Sequence, residues 1–148
     1  MNRLSVEIVE KMARRCGLKM TPQRRAIIRF LQTAKNHPTP DEILRAVNSE
    51  FPMVSRATVY NTINWLKKNG MLKEIFEAGQ VRLDPNCNQH HHFVCKKCGR
   101  VEDVDFDLIP SLNICTLPNS NQIESFELIL RGLCQNCKNS SVSGSSSD

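Results

Sequence analysis

Two Cys-x-x-Cys pairs, Cys95 with Cys98 and Cys134 with Cys137, constrain the fold of this chain more than any other feature. Four thiolates in two such pairs are the usual ligands of a tetrahedral zinc ion with no open position. A redox-active dithiol is the alternative for a single pair, but two pairs favour zinc. The total of seven cysteines is odd, so disulfides cannot account for all of them. We therefore expect a structural Zn²⁺ that cross-links a strand to the C-terminal segment of a small domain.

The length of 148 residues accommodates one ordinary domain or two small ones. No apolar run approaches the roughly 18 residues that a membrane span requires, and the start MNRLSVEIVEKM lacks the hydrophobic block of a secretory signal. We expect a cytoplasmic location, where thiols stay reduced and metal binding is the better explanation of the cysteines.

Charge is distributed unevenly along the chain. Residues 1–84 contain fifteen lysines and arginines against eight acidic residues, a net charge of +7, whereas residues 85–148 contain five against seven, a net charge of −2. A basic half fits a polyanionic partner such as nucleic acid, although many basic domains bind none.

Helix-capping sequences divide the basic half. Thr21-Pro22 and Thr39-Pro40 each place a hydroxyl at the N-cap and a proline at the first helical position, and Glu42 completes a capping box with Thr39. Ser55 caps a further helix that runs to about Lys68. Before these three, apolar spacing predicts a first helix that ends at Gly17 and buries one face, formed by Leu4, Ile8, Val9, Met12, Ala13 and Cys16.

The helix after Ser55 has an apolar face and a polar face. The polar face offers a cation, an aromatic ring and amides, which are groups that contact phosphates and base edges in a major groove. A solvated surface is the alternative for an isolated helix. Two short strands, MLKEIF and VRLD, follow around the turn EAGQ, and a helix-turn-helix followed by a hairpin is a winged helix, which favours DNA binding. The polar face comprises Arg56, Tyr60, Asn61, Asn64 and Lys67.

The second half predicts strands at roughly 91–95 and 124–130, with a helix or irregular link near 106–120. The Ser-rich end has too little apolar surface to become ordered. The sequence thus predicts an α+β protein. Its parts are a winged-helix DNA-binding domain with a wing hairpin and hinge at 1–84, a small α/β dimerisation domain with a four-cysteine zinc site at 85–138, and a disordered tail at 139–148.

A second set of metal-binding side chains contains no thiolate. If the run His90-His91-His92 lies on a strand, alternation sends His90 and His92 to one face and His91 to the other. Carboxylates stand nearby at Asp84 and Asp103, and a distant histidine precedes Pro38. Nitrogen and carboxylate ligands suit ferrous iron, manganese and zinc, so the ligand types leave the metal open.

These motifs together resemble the ferric uptake regulator family of bacterial metal-sensing repressors. The resemblance covers nearly the whole chain and rests on MTPQRRAII, NHPTPDEI, SRATVYNT, the HHH run before CKKCG, and the final CQNC. It implies a regulator and not an enzyme, with a homodimer that binds double-stranded operator DNA.

Within the family the chain is most similar to the peroxide-sensing branch. That resemblance implies a regulatory Fe²⁺ or Mn²⁺ held by three histidines and two aspartates, which fall on His37, Asp84, His90, His92 and Asp103. It also implies base contacts by Tyr60 and Asn61, a minor-groove contact by Lys19, and a phosphate or base contact by Arg56. In the iron form, peroxide would oxidise His37 or His90 and release the metal.

The chain also departs from the family pattern. Many members have a histidine before the last Cys-x-x-Cys that forms an additional metal site, and Phe126 stands in its place here. We therefore expect that site to be missing. Cys87 keeps zinc sensing open, so an iron- or zinc-uptake regulator is the first alternative. A metal-dependent hydrolase and a zinc-stabilised protein-interaction module are more distant ones.

Overall fold

The computed structural model describes residues 4–109 and 118–140 and divides into two compact units, Met1–Asn88 and Gln89–Asp148. Cys115, to which the sequence assigns no partner, lies outside the described residues. So does most of the predicted tail, from residue 141 onward. No helix in the described ranges is both long enough and apolar enough to cross a membrane.

The first unit begins with three helices, α1 (Val6–Arg15), α2 (Pro22–Thr33) and α3 (Pro40–Glu50). Thr21 accepts a hydrogen bond from the backbone of Arg24, and Thr39 and Glu42 form the complete capping box that the sequence predicts. Each cap satisfies backbone N–H groups that the first helical turn leaves without a partner. Both N-termini are therefore fixed by local sequence.

The fourth helix, α4 (Arg56–Lys68), is capped by Ser55 and ends before Gly70, which has a φ of 68°. Its apolar residues enter a core shared with α2, α3 and the hairpin that follows, whereas most of its polar residues are exposed. The core includes Ile27, Ile28, Leu31, Ile43, Val47, Val59, Ile63, Leu66 and Leu83.

A two-stranded antiparallel hairpin completes this unit, with β1 at Lys73–Glu77 and β2 at Gln80–Asp84. Glu77 pairs with Gln80, so Ala78 and Gly79 form a two-residue loop in which both have positive φ. Such loops match the right-handed twist of the strands that they join. The hairpin predicted around EAGQ is confirmed.

The second unit is a three-stranded sheet with a short helix. Its strands are β3 (His90–Cys95), β4 (Val101–Asp105) and β5 (Ile129–Gly132), in the order β4-β3-β5, with β3 antiparallel to β4 and parallel to β5. The helix α5 (Gln135–Asn139) begins after Cys134, and two short 3₁₀ turns lie at Phe106–Leu108 and Pro118–Ser120.

The predicted buried face of α1 was wrong in two places. Cys16 is exposed because the helix ends at Arg15 and the cysteine occupies the C-cap with non-helical backbone angles. Ile8 is 52% exposed because the buried stripe runs through Val9 and Ala13, about 100° around the helix.

Strand predictions in the second unit were also incomplete. The predicted strand at 124–130 begins only at Ile129, since the residues from Asn121 to Ser125 are exposed and pair with no strand. Strand β4 and helix α5 were missed. In β4 the sequence VEDVD buries little apolar surface, so it carries almost no period-two hydrophobic signal.

Candidate metal centres and DNA-binding face

The four cysteines of the two Cys-x-x-Cys pairs converge within the second unit. Cys95 ends β3 and Cys134 is the N-cap of α5, and their strands pair in parallel register. The turn after Cys95 closes with a hydrogen bond from the Gly99 N–H to the Cys95 carbonyl, with Gly99 at a φ of 71°. This turn brings Cys98 back beside Cys95.

The sulfur positions fit a tetrahedral ion. The four Sγ atoms lie within 4.8 Å of one another, and those of Cys98 and Cys134 are 3.7 Å apart. Zinc–sulfur bonds of about 2.3 Å place tetrahedral sulfurs ~3.8 Å apart, which agrees with that separation. Four thiolates would fill all four positions of such an ion and leave none for a substrate.

Thiol acidity in this cluster shows why a cation suits it. The backbone N–H of Cys134 lies 3.3 Å from the Cys95 sulfur, and this donor, with that of Cys98, lowers the pKa of Cys95 to about 6. Burial and the neighbouring thiols raise the pKa of Cys137 to about 12. Several thiolates cannot ionise side by side without a positive charge between them, and a divalent ion supplies it.

A histidine-carboxylate group occupies the other end of β3. Strand alternation places His90 and His92 on one face, as predicted, with their Nε2 atoms 2.9 Å apart. Asp103 lies directly opposite His92 on β4, and its Oδ1 is 3.4 Å from the His90 Nε2 and 3.9 Å from the His92 Nε2. Two imidazole nitrogens and one carboxylate oxygen thus converge, and both histidines are buried.

His37 and Asp84 form a second histidine-carboxylate pair, in the first unit. The loop before α3 docks on β2, where the Arg82 side chain donates to the His37 carbonyl at 3.0 Å and the Leu83 N–H donates to the Pro38 carbonyl at 2.9 Å. This docking places the His37 Nε2 3.7 Å from the Asp84 Oδ1, with both side chains buried. Asp84 also accepts the N–H of Asn86 at 2.8 Å, which fixes its carboxylate at the end of the strand.

His91 points to the opposite face of β3 and packs among aromatic rings. Its ring centroid lies 4.8 Å from that of Phe106 and 5.8 Å from that of Phe126, and its Nδ1 accepts the N–H of Leu128 at 3.2 Å. Phe126, which the sequence places where the resemblance implies a metal-binding histidine in other proteins, belongs to this aromatic cluster. The phenyl ring has no donor atom for a metal.

Cys87 is held as a neutral thiol in the first unit. Its sulfur lies 3.2 Å from the Gly70 carbonyl, to which it donates, and burial raises its pKa. Among the described residues, Cys87 belongs to neither cluster of candidate metal ligands.

Three of the four predicted DNA-contacting residues lie on the exposed face of α4. Arg56, Tyr60 and Asn61 are all exposed there, and Arg56 forms an ion pair with Asp41 of α3 at 2.7 Å. Lys19 is exposed in the loop before α2, where its carbonyl accepts a hydrogen bond from Arg24. The loop is thereby attached to α2, and the lysine side chain extends from a defined backbone.

Comparison with known proteins decides the family. The model of the ferric uptake regulator family matches residues 15–130. The chain belongs to this family. The peroxide-responsive repressor PerR of Staphylococcus epidermidis is 33% identical to it over 136 residues, which cover 89% of this chain and 91% of that protein. PerR of Staphylococcus aureus is likewise 33% identical, over 139 residues that cover 89% and 92%.

Solved structures of the family share the fold. The Helicobacter pylori ferric uptake regulator Fur superimposes with a TM-score of 0.76 at 21% identity, covering 93% of this chain and 97% of that one. PerR from Streptococcus pyogenes matches with a TM-score of 0.52 at 28% identity, covering 88% and 91%. Family membership makes the chain a metal-responsive transcription regulator and not an enzyme.

Sequence reasoning named Asp103 but not the strand β4 that aligns it with His92. It missed Glu127, whose Oε1 lies 2.7 Å from the His92 Nδ1. A single glutamate in an exposed segment carries no sequence signal for such a contact.

Proposed function

We propose that the chain is a dimeric, cytoplasmic repressor that binds operator DNA when a regulatory Fe²⁺ or Mn²⁺ is present, and that peroxide releases it from DNA through the iron form. The ligands of this ion would be His37, Asp84, His90, His92 and Asp103, and a structural Zn²⁺ would be held by Cys95, Cys98, Cys134 and Cys137. The main support for this proposal is that the Nε2 atoms of His90 and His92 converge on Asp103 within one unit. Such a mixed nitrogen and oxygen set, with no thiolate, suits iron and manganese.

The regulatory ion acts by joining two lobes. His37 and Asp84 belong to the first unit, and only five residues separate Asp84 from His90. An ion that takes ligands from both sides of this short linker restricts the orientation of the DNA-binding unit. In a symmetric dimer that orientation sets the spacing of two recognition helices, which must match half-sites about 34 Å apart. Metal and operator then strengthen each other's binding by linkage.

The proposed DNA-binding element is a winged helix whose recognition helix is α4. Tyr60 and Asn61 would read base edges, and Lys19 would reach the minor groove. Arg56 would exchange its exposed partner Asp41 for a phosphate or a base, a small cost because exposed ion pairs contribute only about 0–1 kcal/mol. Replacement of Tyr60 by alanine should relax sequence preference, which a binding-site selection would measure.

Dimerisation is proposed through the second unit. Within the described part of its sheet, β5 lies at an edge, and Leu130 and Leu133 are substantially exposed there. An exposed edge strand with apolar side chains suits pairing with a second copy.

Peroxide sensing is proposed to act on the ligands of the regulatory ion. Ferrous iron would supply the chemistry that activates hydrogen peroxide at the site. One oxygen atom of H₂O₂ would enter a ring C–H bond of His37 or His90, and the other would leave as water. The modified imidazole would bind the ion less well, and the restraint between the two lobes would be lost. Mass spectrometry after peroxide treatment should find one added oxygen on either histidine in the iron form and none in the manganese form.

The experiment that tests the coupling measures affinity for a duplex selected from a random pool by the Mn²⁺-loaded protein. Fluorescence anisotropy with and without Mn²⁺ should show tighter binding with the ion, and His37→Ala should remove the difference. Asn36→Ala, which changes the exposed neighbour of that histidine, is the matched control. Equal affinities in the two conditions for the unmodified protein would contradict the proposal.

A second candidate is a zinc- or iron-uptake regulator of the same family. Zinc sensing through Cys87 would require its sulfur to leave the Gly70 carbonyl, and among the described residues it lies in neither cluster of candidate ligands. Anaerobic purification with iron, manganese or zinc supplied separately would distinguish these branches by the metal retained and the DNA affinity that it confers.

A further inference from the structure

Glu127 contacts a histidine of the histidine-carboxylate group from the side opposite to Asp103. Its Oε1 lies 2.7 Å from the Nδ1 of His92, whose side chain is 2% exposed. The glutamate lies in the segment that precedes β5, and the backbone of the next residue pairs with β3, since the His92 N–H donates to the Leu128 carbonyl at 3.0 Å. The contact is therefore built on the sheet itself.

The two ring nitrogens of His92 face different groups. Nε2 lies 2.9 Å from the His90 Nε2 and 3.9 Å from the Asp103 carboxylate, whereas Nδ1 faces Glu127. The contact has the distance of an ion pair and not the angle of a hydrogen bond. A negative oxygen this close to Nδ1 still favours the tautomer that carries its proton there, since a carboxylate only accepts. In that neutral tautomer Nε2 is bare and can accept a proton from His90 or donate its lone pair to a metal.

We propose that Glu127 is a positioning residue that holds His92 in the Nδ1–H tautomer and thereby presents a bare Nε2 to the regulatory ion. This inference rests on the proposed function of the histidine-carboxylate group. The negative charge of Glu127 also increases the electron density that the imidazole donates to a cation, as outer carboxylates do in metal sites. Its side chain is 47% exposed, so solvent screens part of this effect.

His91 provides an internal reference for the tautomer of its neighbour. The Leu128 N–H donates to the His91 Nδ1, so that ring must carry its proton on Nε2. Adjacent histidines are thus expected in opposite tautomers. Because Leu128 directly follows Glu127, a change that displaced the whole segment would alter both rings, whereas loss of the carboxylate alone would alter only His92.

The first measurement uses the zinc-containing full chain without regulatory metal. Long-range ¹H–¹⁵N spectra, which distinguish the two tautomers of a neutral imidazole, should show Nδ1–H for His92 and Nε2–H for His91. Glu127→Ala should change the His92 pattern and leave that of His91 intact. Glu124→Ala, which removes an exposed carboxylate from the same segment, is the control and should change neither.

The second measurement is the affinity for Mn²⁺ by titration calorimetry. Loss of an outer carboxylate typically weakens metal binding 10- to 100-fold, and the exposure of Glu127 places the expected loss for Glu127→Ala near tenfold. Glu127→Gln, which keeps an acceptor oxygen and the side-chain size, should lose less affinity and keep the His92 tautomer. This variant decides the question if the alanine variant also perturbs His91.

An unchanged His92 tautomer in Glu127→Ala, or an Mn²⁺ affinity equal to that of the unmodified protein in both variants, would overturn the proposal. Failure of the unmodified protein to bind Mn²⁺ would instead refute the proposed function. The tautomer spectra are recorded without that ion, so they test Glu127 independently.

Discussion

Replacement of Cys98 by serine is expected to unfold the second unit while the first unit remains folded. The second unit has a small apolar core. Of its described residues, Val94 and Val101 are the buried aliphatic ones, and burial of a valine contributes about 1.5–3 kcal/mol, so together they supply roughly 3–6 kcal/mol. Ordering the backbone of each residue costs about 1–2 kcal/mol of conformational entropy. Burial of the two valines therefore offsets this cost for only a few residues.

The binding free energy of the proposed zinc ion is large enough to stabilise this unit. A structural Zn²⁺ contributes on the order of 10–16 kcal/mol in small zinc-dependent folds. By the same estimates that is roughly 1.7 to 5 times the contribution of the two valines. The first unit has a much larger aliphatic core, with nine of its members on the helices and hairpin named above, and does not depend on the ion.

Amide ¹H–¹⁵N spectra resolve the outcome by residue. In Cys98→Ser the peaks from residues 89–140 should collapse to the narrow dispersion of an unfolded chain, and elemental analysis should find zinc lost. Cys16→Ser is the matched control, since that thiol is exposed at the end of α1 and should be replaceable without loss of either. A zinc-free Cys98→Ser protein that keeps dispersed peaks for residues 89–140 would refute the reasoning.

Three further outcomes concern the first unit and are measured by urea unfolding. Leu31→Ala removes a fully buried core side chain and should destabilise the unit by about 2–5 kcal/mol. Thr39→Ala removes half of the capping box and should cost about 0.5–2 kcal/mol, whereas Ser49→Ala, at an exposed position late in the same helix, should change stability by less than about 0.5 kcal/mol. The hydrogen bond from Arg25 lowers the pKa of Glu10 below its ordinary value of 4.5. The unmodified protein should therefore exceed Glu10→Gln in stability by a constant amount above pH 4.5, and this difference should disappear as the pH falls through the lowered pKa of Glu10.

The first unit was predictable because its information is local. Caps and prolines mark where these helices begin, and Ser55 and Thr39 act as the sequence indicated. The apolar face expected of the helix after Ser55 does enter the core. The error at Cys16 arose because a helical pattern was extended one residue past the point where the chain left the helix.

The second unit was harder to predict because tertiary pairing defines it. Strand β4 is largely charged, and it exists because its backbone pairs with β3 over five residue positions. The register that places Asp103 opposite His92 follows from the Cys-x-x-Cys turn between the strands, not from any hydrophobic alternation. The Glu127 contact depends in turn on the parallel pairing of β3 with β5, which joins residues more than thirty positions apart in sequence.

Strand β3 contributes residues to both proposed metal sites, and this predicts that one site depends on the other but not the reverse. Strand β3 begins with His90 and ends with Cys95, and the facing segment runs from Glu127 to Cys134. The cysteine cluster closes one end of this pairing, where the Lys96 N–H donates to the Gly132 carbonyl at 2.8 Å. Loss of zinc would therefore release the strands that carry His92 and its partner Glu127. Loss of the proposed regulatory ion would leave the cysteine end closed, so we expect that site to empty and refill while the sheet stays folded.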